Sequence, residues 1–370
     1  MIKVLFLIHD LGQGGAEKVL VNLVNNMDSE KFDITVMALF GGGVNEQFLK
    51  KSIRYHTVFP RSIPANSHLM KLFTPEQLHR MFVKEHYDIE VSYLEGPSAR
   101  VISGCRDEDT KLVCWIHGEQ KTKEKAAAAF RNYQEALKCY SQFNQIISVS
   151  ETVKKDFLSI MPVSVPISVL YNTNESERIM EQAQEDRESA LFDEKGIKLV
   201  GVGKLVKTKG FDRLLRIIKQ LRAEQYPVHL YLLGSGPEEE NLKRFLAENQ
   251  MNDVISFLGY QTNPYKYVAN CDLFVCSSYS EGFSTAATEA LIVGTPVCTT
   301  EVSGMKEMLG ENNEYGIVTE NNEEALYQGI KNLLDDPALL DHYREQAVIR
   351  GQSFSTEATV EAVEEMLLSL

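Results

Sequence analysis

The sequence predicts an α/β protein built from two doubly wound, Rossmann-like domains. At 370 residues the chain is too long for one ordinary domain and suits two, each with its own core. In both halves, short apolar runs of strand type alternate with tight turns and amphipathic helices, an order typical of parallel sheets covered by helices. We therefore expect domains at residues 1–172 and 185–355, separated by a polar run and followed by a C-terminal helix at 356–370.

The first half begins with an apolar strand, a glycine turn and a helix. The turn contains Gly14 and Gly15, and the apolar residues between Ala16 and Met27 recur with the 3.6-residue period of an amphipathic helix. Strands are predicted at 3–8, 32–40, 54–58 (a sheet edge), 88–93, 111–117, 145–150 and 167–171. Further helices are predicted at 126–140 and at 151–160, the second capped by Ser150.

The second half repeats this order of strand, turn and helix. A helix is expected from Phe211, with Leu214, Leu215, Ile218 and Leu221 facing inward, and another begins near Glu238. A third helix, at 286–293, ends before Gly294 and Pro296. Strands are predicted at 198–202, 228–233, 255–258, 272–276, 296–300 and 316–319.

Composition and charge exclude several classes of protein. The formal net charge is −14, and all of the excess negative charge lies after residue 175, which argues against a nonspecific nucleic-acid binder. The six cysteines show no metal-binding spacing, so we expect buried thiols in a reducing cytosol and no metal site. The start of the chain reads as a strand rather than a signal peptide, and no apolar stretch approaches the ~20 residues of a spanning helix.

The segment 280–293, SEGFSTAATEALIV, carries the clearest candidate site. Glu281, Gly282, Phe283 and Ser284 fall at the bend between a strand and a helix, where backbone N–H groups favour a phosphate. Glu289 falls in the second turn of that helix. Two carboxylates suit such a site if they accept hydrogen bonds from ligand hydroxyls, as in a nucleotide-sugar. The alternative is a surface helix with two solvated glutamates.

Other turns carry further candidates. The loop of Gly203, Lys204 and Lys209 precedes a helix and suits a diphosphate, although lysines in loops are often merely solvated. Gly14 and Gly15 allow close approach of a ligand but lack dinucleotide-fingerprint spacing. His117 ends a predicted strand at the sheet edge where ligands collect, although a histidine there can equally be structural.

The residues EGFSTAATEAL resemble the E-x7-E motif of the retaining glycosyltransferases of family 4, which have the GT-B fold. GGAEKVL resembles the first loop of the same family. The resemblance implies two Rossmann-like domains facing one another across a cleft that holds the donor, with the acceptor on the side of the first domain. It also implies that the C-terminal helix at 356–370 crosses back to the first domain. It also implies that Glu281 contacts donor-sugar hydroxyls, that Glu289 holds the ribose, and that His117 reaches the donor sugar. The family usually has Arg where Lys204 stands, and Lys where Lys209 stands.

These observations give a predicted set of site residues. The expected catalytic residues are Glu281, His117 and Lys209, and the expected donor-binding residues are Gly14, Gly15, Gly203, Lys204, Lys209, Gly282, Phe283, Ser284 and Glu289. No metal and no cofactor are expected, because lysines and helix ends can stabilise a departing diphosphate.

The resemblance implies a retaining glycosyltransferase of bacterial surface-polysaccharide synthesis. We expect it to move a hexose or N-acetylhexosamine from a nucleotide-diphosphate sugar, by resemblance a UDP-sugar, to a glycan or lipid-linked acceptor. The alternative is a non-catalytic nucleotide or sugar-phosphate binding protein of the same fold. Lys121, Lys123 and Lys125 are either a solvated face or a contact with an anionic acceptor or the inner face of a membrane.

Overall fold

The computed structural model of this protein describes residues 1–61, 70–120, 122–185 and 196–370. The chain divides into two compact units: unit 1 holds Met1–Asn174 and Thr356–Leu370, and unit 2 holds Glu175–Ser355. Lys121 lies outside the described residues. Residues 186–195, which are part of the predicted polar run, lie outside them as well.

Unit 1 contains a seven-stranded sheet in which every neighbouring pair is parallel. Its strands are β1 (Ile2–Ile8), β2 (Phe32–Phe40), β3 (Arg54–Phe59), β4 (Ile89–Ser92), β5 (Lys111–Ile116), β6 (Gln145–Ser148) and β7 (Ile167–Val169). Their order is β3-β2-β1-β4-β5-β6-β7, so β3 is an edge strand as predicted. The order reverses between β1 and β4, and ligands of doubly wound domains bind beyond the carboxyl ends of strands at such a switch point.

The described helices of unit 1 confirm some predictions and correct others. They are α1 (Gly15–Asn26), α2 (Pro75–Phe82), α3 (Pro97–Ile102), α4 (Lys123–Ala126), α5 (Tyr133–Tyr140) and α6 (Glu151–Ile160). The single helix predicted at 126–140 is wrong, because Asn132 starts a new helix by accepting the amide of Glu135 at 2.9 Å. Ser150 caps α6 as predicted, accepting the amide of Val153 at 3.1 Å.

Unit 2 contains a six-stranded sheet in the order β10-β9-β8-β11-β12-β13. The strands are β8 (Ile197–Val202), β9 (Val228–Leu233), β10 (Ile255–Gly259), β11 (Leu273–Cys276), β12 (Val297–Thr300) and β13 (Ile317–Thr319), all in parallel pairs. The switch point of this sheet lies between β8 and β11. The loop after β8, residues 203–210, is called the lysine loop, and the turn after β11, residues 281–284, is called the EGFS turn.

Helices cover both sides of the second sheet. They are α7 (Ser176–Gln182), α8 (Phe211–Ala223), α9 (Glu239–Glu248), α10 (Tyr265–Val268), α11 (Thr285–Ile292), α12 (Met305–Leu309), α13 (Glu323–Asp335) and α14 (Pro337–Gln352). Unit 2 begins before the expected residue 185, because α7 belongs to it. The Asn263 side chain donates to the Gln182 carbonyl at 3.0 Å and ties the end of α7 to this unit.

The C-terminal helix α15 (Thr356–Leu368) belongs to unit 1. Glu364 is 7% exposed and accepts the backbone N–H of Asp28 at 2.6 Å. The Thr356 hydroxyl donates to the Asn174 carbonyl at 2.8 Å. Hydrogen bonds at its start and near its end therefore fasten this helix to unit 1. None of the helices in the described parts of the chain has the length and apolar character needed to cross a membrane.

Candidate active site

The switch point of unit 2 brings the lysine loop against the turn that follows β11. Gly210 adopts a left-handed conformation with φ of 63°, and a Cβ atom there would lie 1.9 Å from the Ser277 carbonyl oxygen. The Ser277 hydroxyl donates to the Lys209 carbonyl at 3.0 Å, and the Tyr279 amide donates to the Thr208 carbonyl at 2.7 Å. Only glycine permits this close approach, which fixes the position of Lys209.

Lys209 and Glu281 form an ion pair at this switch point. The Lys209 Nζ lies 2.6 Å from Glu281 Oε1, and their side chains are 26% and 10% exposed. The Ser278 hydroxyl donates to the same carboxylate oxygen at 2.6 Å. Burial alone would lower the pKa of the Lys209 ammonium, but the Glu281 carboxylate holds it above its ordinary value. Lys209 is therefore a fixed cation beside an anchored carboxylate.

Arg213 holds the backbone of the turn after β11, a role that was not predicted from the sequence. Its side chain is 2% exposed, and its Nε donates to the Ser277 carbonyl at 2.6 Å while Nη2 donates to the Ser278 carbonyl. Its guanidinium also lies 4.0 Å from the centre of the Tyr279 ring. Burial lowers the pKa of this guanidinium. The sequence signal that could have found it is its position four residues before the apolar Ile217, which places Arg213 at the edge of the apolar face of this helix.

The turn of Gly282, Phe283 and Ser284 leads into α11. The Ser284 hydroxyl accepts the Ala287 amide at 3.3 Å, so this side chain caps the helix. Phe283 is 6% exposed and packs edge-on against Phe354, with ring centres 6.1 Å apart. The strand, bend and helix predicted for this segment are confirmed. Donor contacts from these three residues stay a prediction.

Glu289 lies in α11 and is 6% exposed. The Tyr265 hydroxyl donates to its Oε1 at 3.3 Å. With Glu281 also largely buried, the alternative of two solvated glutamates is wrong. Two carboxylates kept out of bulk water on a short helix and its entry turn are costly to the fold, which favours a binding function.

Gly203 and Lys204 begin the lysine loop. Gly203 donates its amide to the Leu233 carbonyl at 3.0 Å, so its backbone is tied to the neighbouring strand. Lys204 is exposed, and its ammonium makes no ion pair within the described part of the chain. The loop thus contains one anchored ammonium, that of Lys209, and two exposed lysines, Lys204 and Lys207.

His117 follows β5, the strand next to β4, and therefore lies beside the switch point of unit 1. Its Nε2 is buried and has no hydrogen-bond partner among the described residues, and burial lowers the pKa of this imidazole to about 3. The Glu95 carboxylate, after β4, accepts the His117 backbone amide at 2.9 Å. Burial raises the pKa of Glu95 despite this bond. His117 is consequently a neutral ring with an unused nitrogen.

Gly14 and Gly15 lie at the start of α1, on the other side of the same switch point. A Cβ at Gly14 would lie 1.9 Å from Glu17 Oε2, so a larger residue would displace that carboxylate. Their predicted contact with the donor stays a prediction. Of the lysines near His117, Lys125 donates to the Glu119 carbonyl at 2.6 Å and Lys123 lies 5.0 Å from the centre of the Tyr133 ring.

One group of potential metal ligands occurs among the described residues, and it includes none of the predicted site residues. His79, Glu90 and Cys105 lie together in unit 1, with His79 Nε2 2.8 Å from Glu90 Oε2. Burial alone would lower the pKa of His79, but hydrogen bonds to Cys105 and Glu90 raise it to about 9. The described contact of this imidazole is therefore an ion pair with the Glu90 carboxylate. All six cysteines are buried and free, as predicted.

Two family models match this chain. Residues 13–178 match the model described as Glycosyltransferase Family 4, and residues 182–350 match the model described as Glycosyl transferases group 1. Together the two matches extend over most of unit 1 and unit 2.

Curated relatives from bacteria are similar over most of their length. An N-acetylgalactosamine-N,N'-diacetylbacillosaminyl-diphospho-undecaprenol 4-alpha-N-acetylgalactosaminyltransferase of Campylobacter jejuni is 27% identical over 362 residues, 96% of either chain. The lipopolysaccharide core biosynthesis glycosyltransferase LpsD of Rhizobium meliloti is 24% identical over 337 residues, which is 90% of this chain and 88% of the relative.

Solved structures share the fold of the whole chain. Anabaena Alr3699/HepE, solved in complex with UDP, superposes on this chain with a TM-score of 0.79 at 19% identity. The match covers 100% of both chains. A mutant of Staphylococcus aureus TarM, solved with fondaparinux, alpha-GlcNAc-glycerol and UDP, gives a TM-score of 0.74 at 14% identity over 98% of both chains. The two Rossmann-like units therefore form a GT-B fold, as the sequence predicted.

Proposed function

This chain belongs to the family 4 glycosyltransferases, and we propose that it is a retaining, metal-independent enzyme that uses a nucleotide-diphosphate sugar. The observation that carries the proposal is the Lys209–Glu281 pair, joined at 2.6 Å at the switch point of unit 2. A cation suits a diphosphate, and a carboxylate suits sugar hydroxyls, so one pair offers both kinds of contact that such a donor needs.

Each charged group has a distinct proposed role. Lys209, Lys204 and the N-terminus of α11 stabilise the charge that develops on the departing diphosphate. Glu281 accepts hydrogen bonds from the donor sugar near the reacting carbon. Glu289, held within the regular backbone of α11, accepts hydrogen bonds from the ribose. The predicted contact of His117 with the donor sugar rests on the family resemblance.

We propose same-face attack for the transfer step. The acceptor hydroxyl oxygen bonds to the anomeric carbon as the bond from that carbon to the diphosphate oxygen breaks. The bonding electron pair leaves with the diphosphate, which also takes the proton of the acceptor hydroxyl. This route retains the anomeric configuration without a covalent intermediate on the protein.

For the donor we propose a uridine-diphosphate hexose or N-acetylhexosamine. The UDP in the Anabaena and Staphylococcus structures supports this choice. For the acceptor we propose a glycan or a lipid-linked oligosaccharide of surface-polysaccharide assembly, supported by the names of the Campylobacter and Rhizobium relatives. A lipid-linked acceptor would bring the enzyme to the inner face of the membrane.

A nucleotide panel tests the donor half of the proposal. The melting temperature is measured with uridine, guanosine and adenosine diphosphates, and the preferred base should add ~2.7 kcal/mol of stability at about 100 times its Kd. UDP should give the largest shift. A larger shift with guanosine or adenosine diphosphate would contradict the choice of base.

Hydrolysis and product analysis test the chemistry. UDP-glucose and UDP-N-acetylglucosamine are incubated with the protein, and release of free sugar separates an enzyme from a mere binder. The anomeric configuration of a transferred sugar is read by proton NMR coupling constants. A β-linked product from these α-linked donors would contradict the retaining mechanism.

A further inference from the structure

A histidine–aspartate pair lies at the switch point of unit 1, directly after β1. His9 Nδ1 lies 2.6 Å from Asp10 Oδ2, and Asp10 Oδ1 accepts the Gly12 amide at 2.7 Å. The His9 ring also packs against Phe40, with ring centres 4.9 Å apart. These contacts hold the imidazole in place while it remains 40% exposed.

The pair fixes which nitrogen of His9 is available to a ligand. An ionised carboxylate only accepts hydrogen bonds, so Asp10 requires the proton of a neutral imidazole to be on Nδ1. Nε2 then carries a lone pair, and it has no hydrogen-bond partner in the described ranges of the chain. The arrangement presents a hydrogen-bond acceptor at the edge of the sheet where a ligand is expected.

The chemistry of this edge favours a neutral, hydroxyl-rich ligand. The segments that follow β1, β4 and β5, residues 9–14, 93–96 and 117–120, contain no lysine or arginine but include Asp10, Glu95 and Glu119. The one ammonium described at this edge, that of Lys125, donates to the Glu119 carbonyl at 2.6 Å, so carboxylates outnumber cations here. Carboxylates repel phosphate and accept hydrogen bonds from sugar hydroxyls. The buried Nε2 of His117 is a second acceptor without a partner on the same edge.

We propose that His9 is a binding residue for the acceptor sugar and that Asp10 positions it. Nε2 of His9 accepts a hydrogen bond from an acceptor hydroxyl, and Asp10 keeps the imidazole in the tautomer that can do so. This proposal rests on the proposed function, because it assigns the acceptor half of the same transfer.

Two variants and a matched control separate binding from folding. His9→Ala removes the acceptor nitrogen. Asp10→Asn keeps an oxygen for the Gly12 amide but presents an NH₂ group to His9, which favours the opposite tautomer. The control is His86→Ala, which removes another exposed histidine paired with an aspartate, at 2.8 Å from Asp107. His86 precedes β4 and therefore lies at the opposite edge of the sheet.

Sugar binding is measured on the full chain with UDP present. The probes are the methyl glycosides of glucose, galactose and their N-acetylated forms, followed by ligand-observed NMR, and UDP affinity is measured by calorimetry. We expect His9→Ala and Asp10→Asn each to weaken glycoside binding about tenfold while UDP affinity changes by less than about twofold. His86→Ala should change neither, and nitrogen NMR should show the opposite His9 tautomer in Asp10→Asn.

The outcomes are distinguishable from failure of the proposed function. The proposal is overturned if no probe binds the unchanged protein, if His9→Ala binds the probe equally well, or if UDP affinity falls in parallel with glycoside affinity. Equal losses in His86→Ala would also overturn it. Failure of the proposed function would instead appear as absent hydrolysis of nucleotide-sugar by the unchanged protein, whatever the glycoside results.

Discussion

The two switch points of this protein are equivalent in topology but opposite in chemistry. In unit 2, the Lys209 Nζ lies 2.6 Å from Glu281 Oε1, so each of these two charges has a partner of opposite sign. In unit 1, the buried Nε2 of His117 has no partner among the described residues, and its imidazole is neutral at physiological pH. One edge thus presents paired charges, and the other presents a neutral hydrogen-bond acceptor.

In unit 2, the cation that we propose for the diphosphate is already paired with a carboxylate of the protein. Pairing with Glu281 keeps the Lys209 ammonium charged despite its burial. A diphosphate would exchange one anionic partner of this ammonium for another, which costs less than desolvating a free lysine. Unit 1 needs no such exchange, because a neutral acceptor atom is far cheaper to leave unpaired than a charge.

The largest effect expected is on turnover when Glu281 is removed. Its proposed contact strengthens as the anomeric carbon becomes positive, so Glu281→Ala should lower kcat at saturating donor by about 100-fold, or ~2.7 kcal/mol. UDP affinity should change little, because the freed Lys209 ammonium can still bind the diphosphate. Steady-state kinetics and titration calorimetry measure the two quantities.

Ser278→Ala is the matched control for that variant. It removes only the hydroxyl that donates to Glu281 Oε1 at 2.6 Å and keeps both charges. Its effect on kcat should be smaller than about tenfold. Equal losses of kcat in the two variants, or a loss of UDP affinity in Glu281→Ala as large as that from Glu289→Ala, would contradict the assigned roles.

A smaller effect, on binding alone, is expected from Glu289. Glu289→Ala should weaken UDP binding by ~1 to 3 kcal/mol, because the ribose hydroxyls lose a charged partner. Tyr265→Phe is the control, since it removes the hydroxyl that reaches Glu289 at 3.3 Å and leaves the carboxylate in place. Calorimetry measures both variants, and unchanged UDP affinity in Glu289→Ala would remove the ribose contact from the proposal.

Because the imidazole of His117 is neutral in the folded protein, it should lower the free energy of unfolding in acid. Burial depresses the pKa of His117 from 6.5 to about 3, so between these values the unfolded chain binds a proton that the folded protein does not. This residue therefore lowers the stability of wild type as the pH falls below 6.5. His117→Gln lacks this titrating group. The free energy of unfolding of the variant minus that of wild type should therefore rise by ~2 kcal/mol when the pH falls from about 8 to about 5.

Denaturant unfolding at the two pH values measures this change. His86→Gln serves as the control, because His86 is exposed and paired with Asp107. A relative stability of His117→Gln that is the same at both pH values would show that the imidazole is not held neutral.

The smallest effect expected is that of a chelator. The cations proposed for the diphosphate are lysines and the N-terminus of α11, so turnover with excess EDTA should equal turnover without it. The assay uses the preferred donor with a methyl glycoside acceptor. A complete loss of activity that magnesium or manganese restores would transfer the stabilising role from Lys209 to a metal.

The sequence was sufficient for the strands and for the residues that follow them. Runs of apolar residues bounded by glycine or polar turns predicted each described strand to within a few positions, because burial on both faces of a parallel sheet leaves a strong local signal. Local capping chemistry was read correctly at Ser150 but overlooked at Asn132, where a second helix begins. The helices that begin at Pro75 and Pro97 were also missed, although proline is typical of a first helical position.

By itself, then, the sequence determined the fold class, the strands and the candidacy of Glu281, Glu289, Lys209 and His117. Tertiary structure alone decided their partners: Lys209 and Glu281 are 72 residues apart, and they meet because β8 and β11 are neighbours in the sheet. The burial of Arg213 against the Ser277 and Ser278 carbonyls and the unpartnered Nε2 of His117 among the described residues were decided in the same way. The physical reason is that periodicity and turn chemistry act over a few residues, whereas strand order places distant segments side by side.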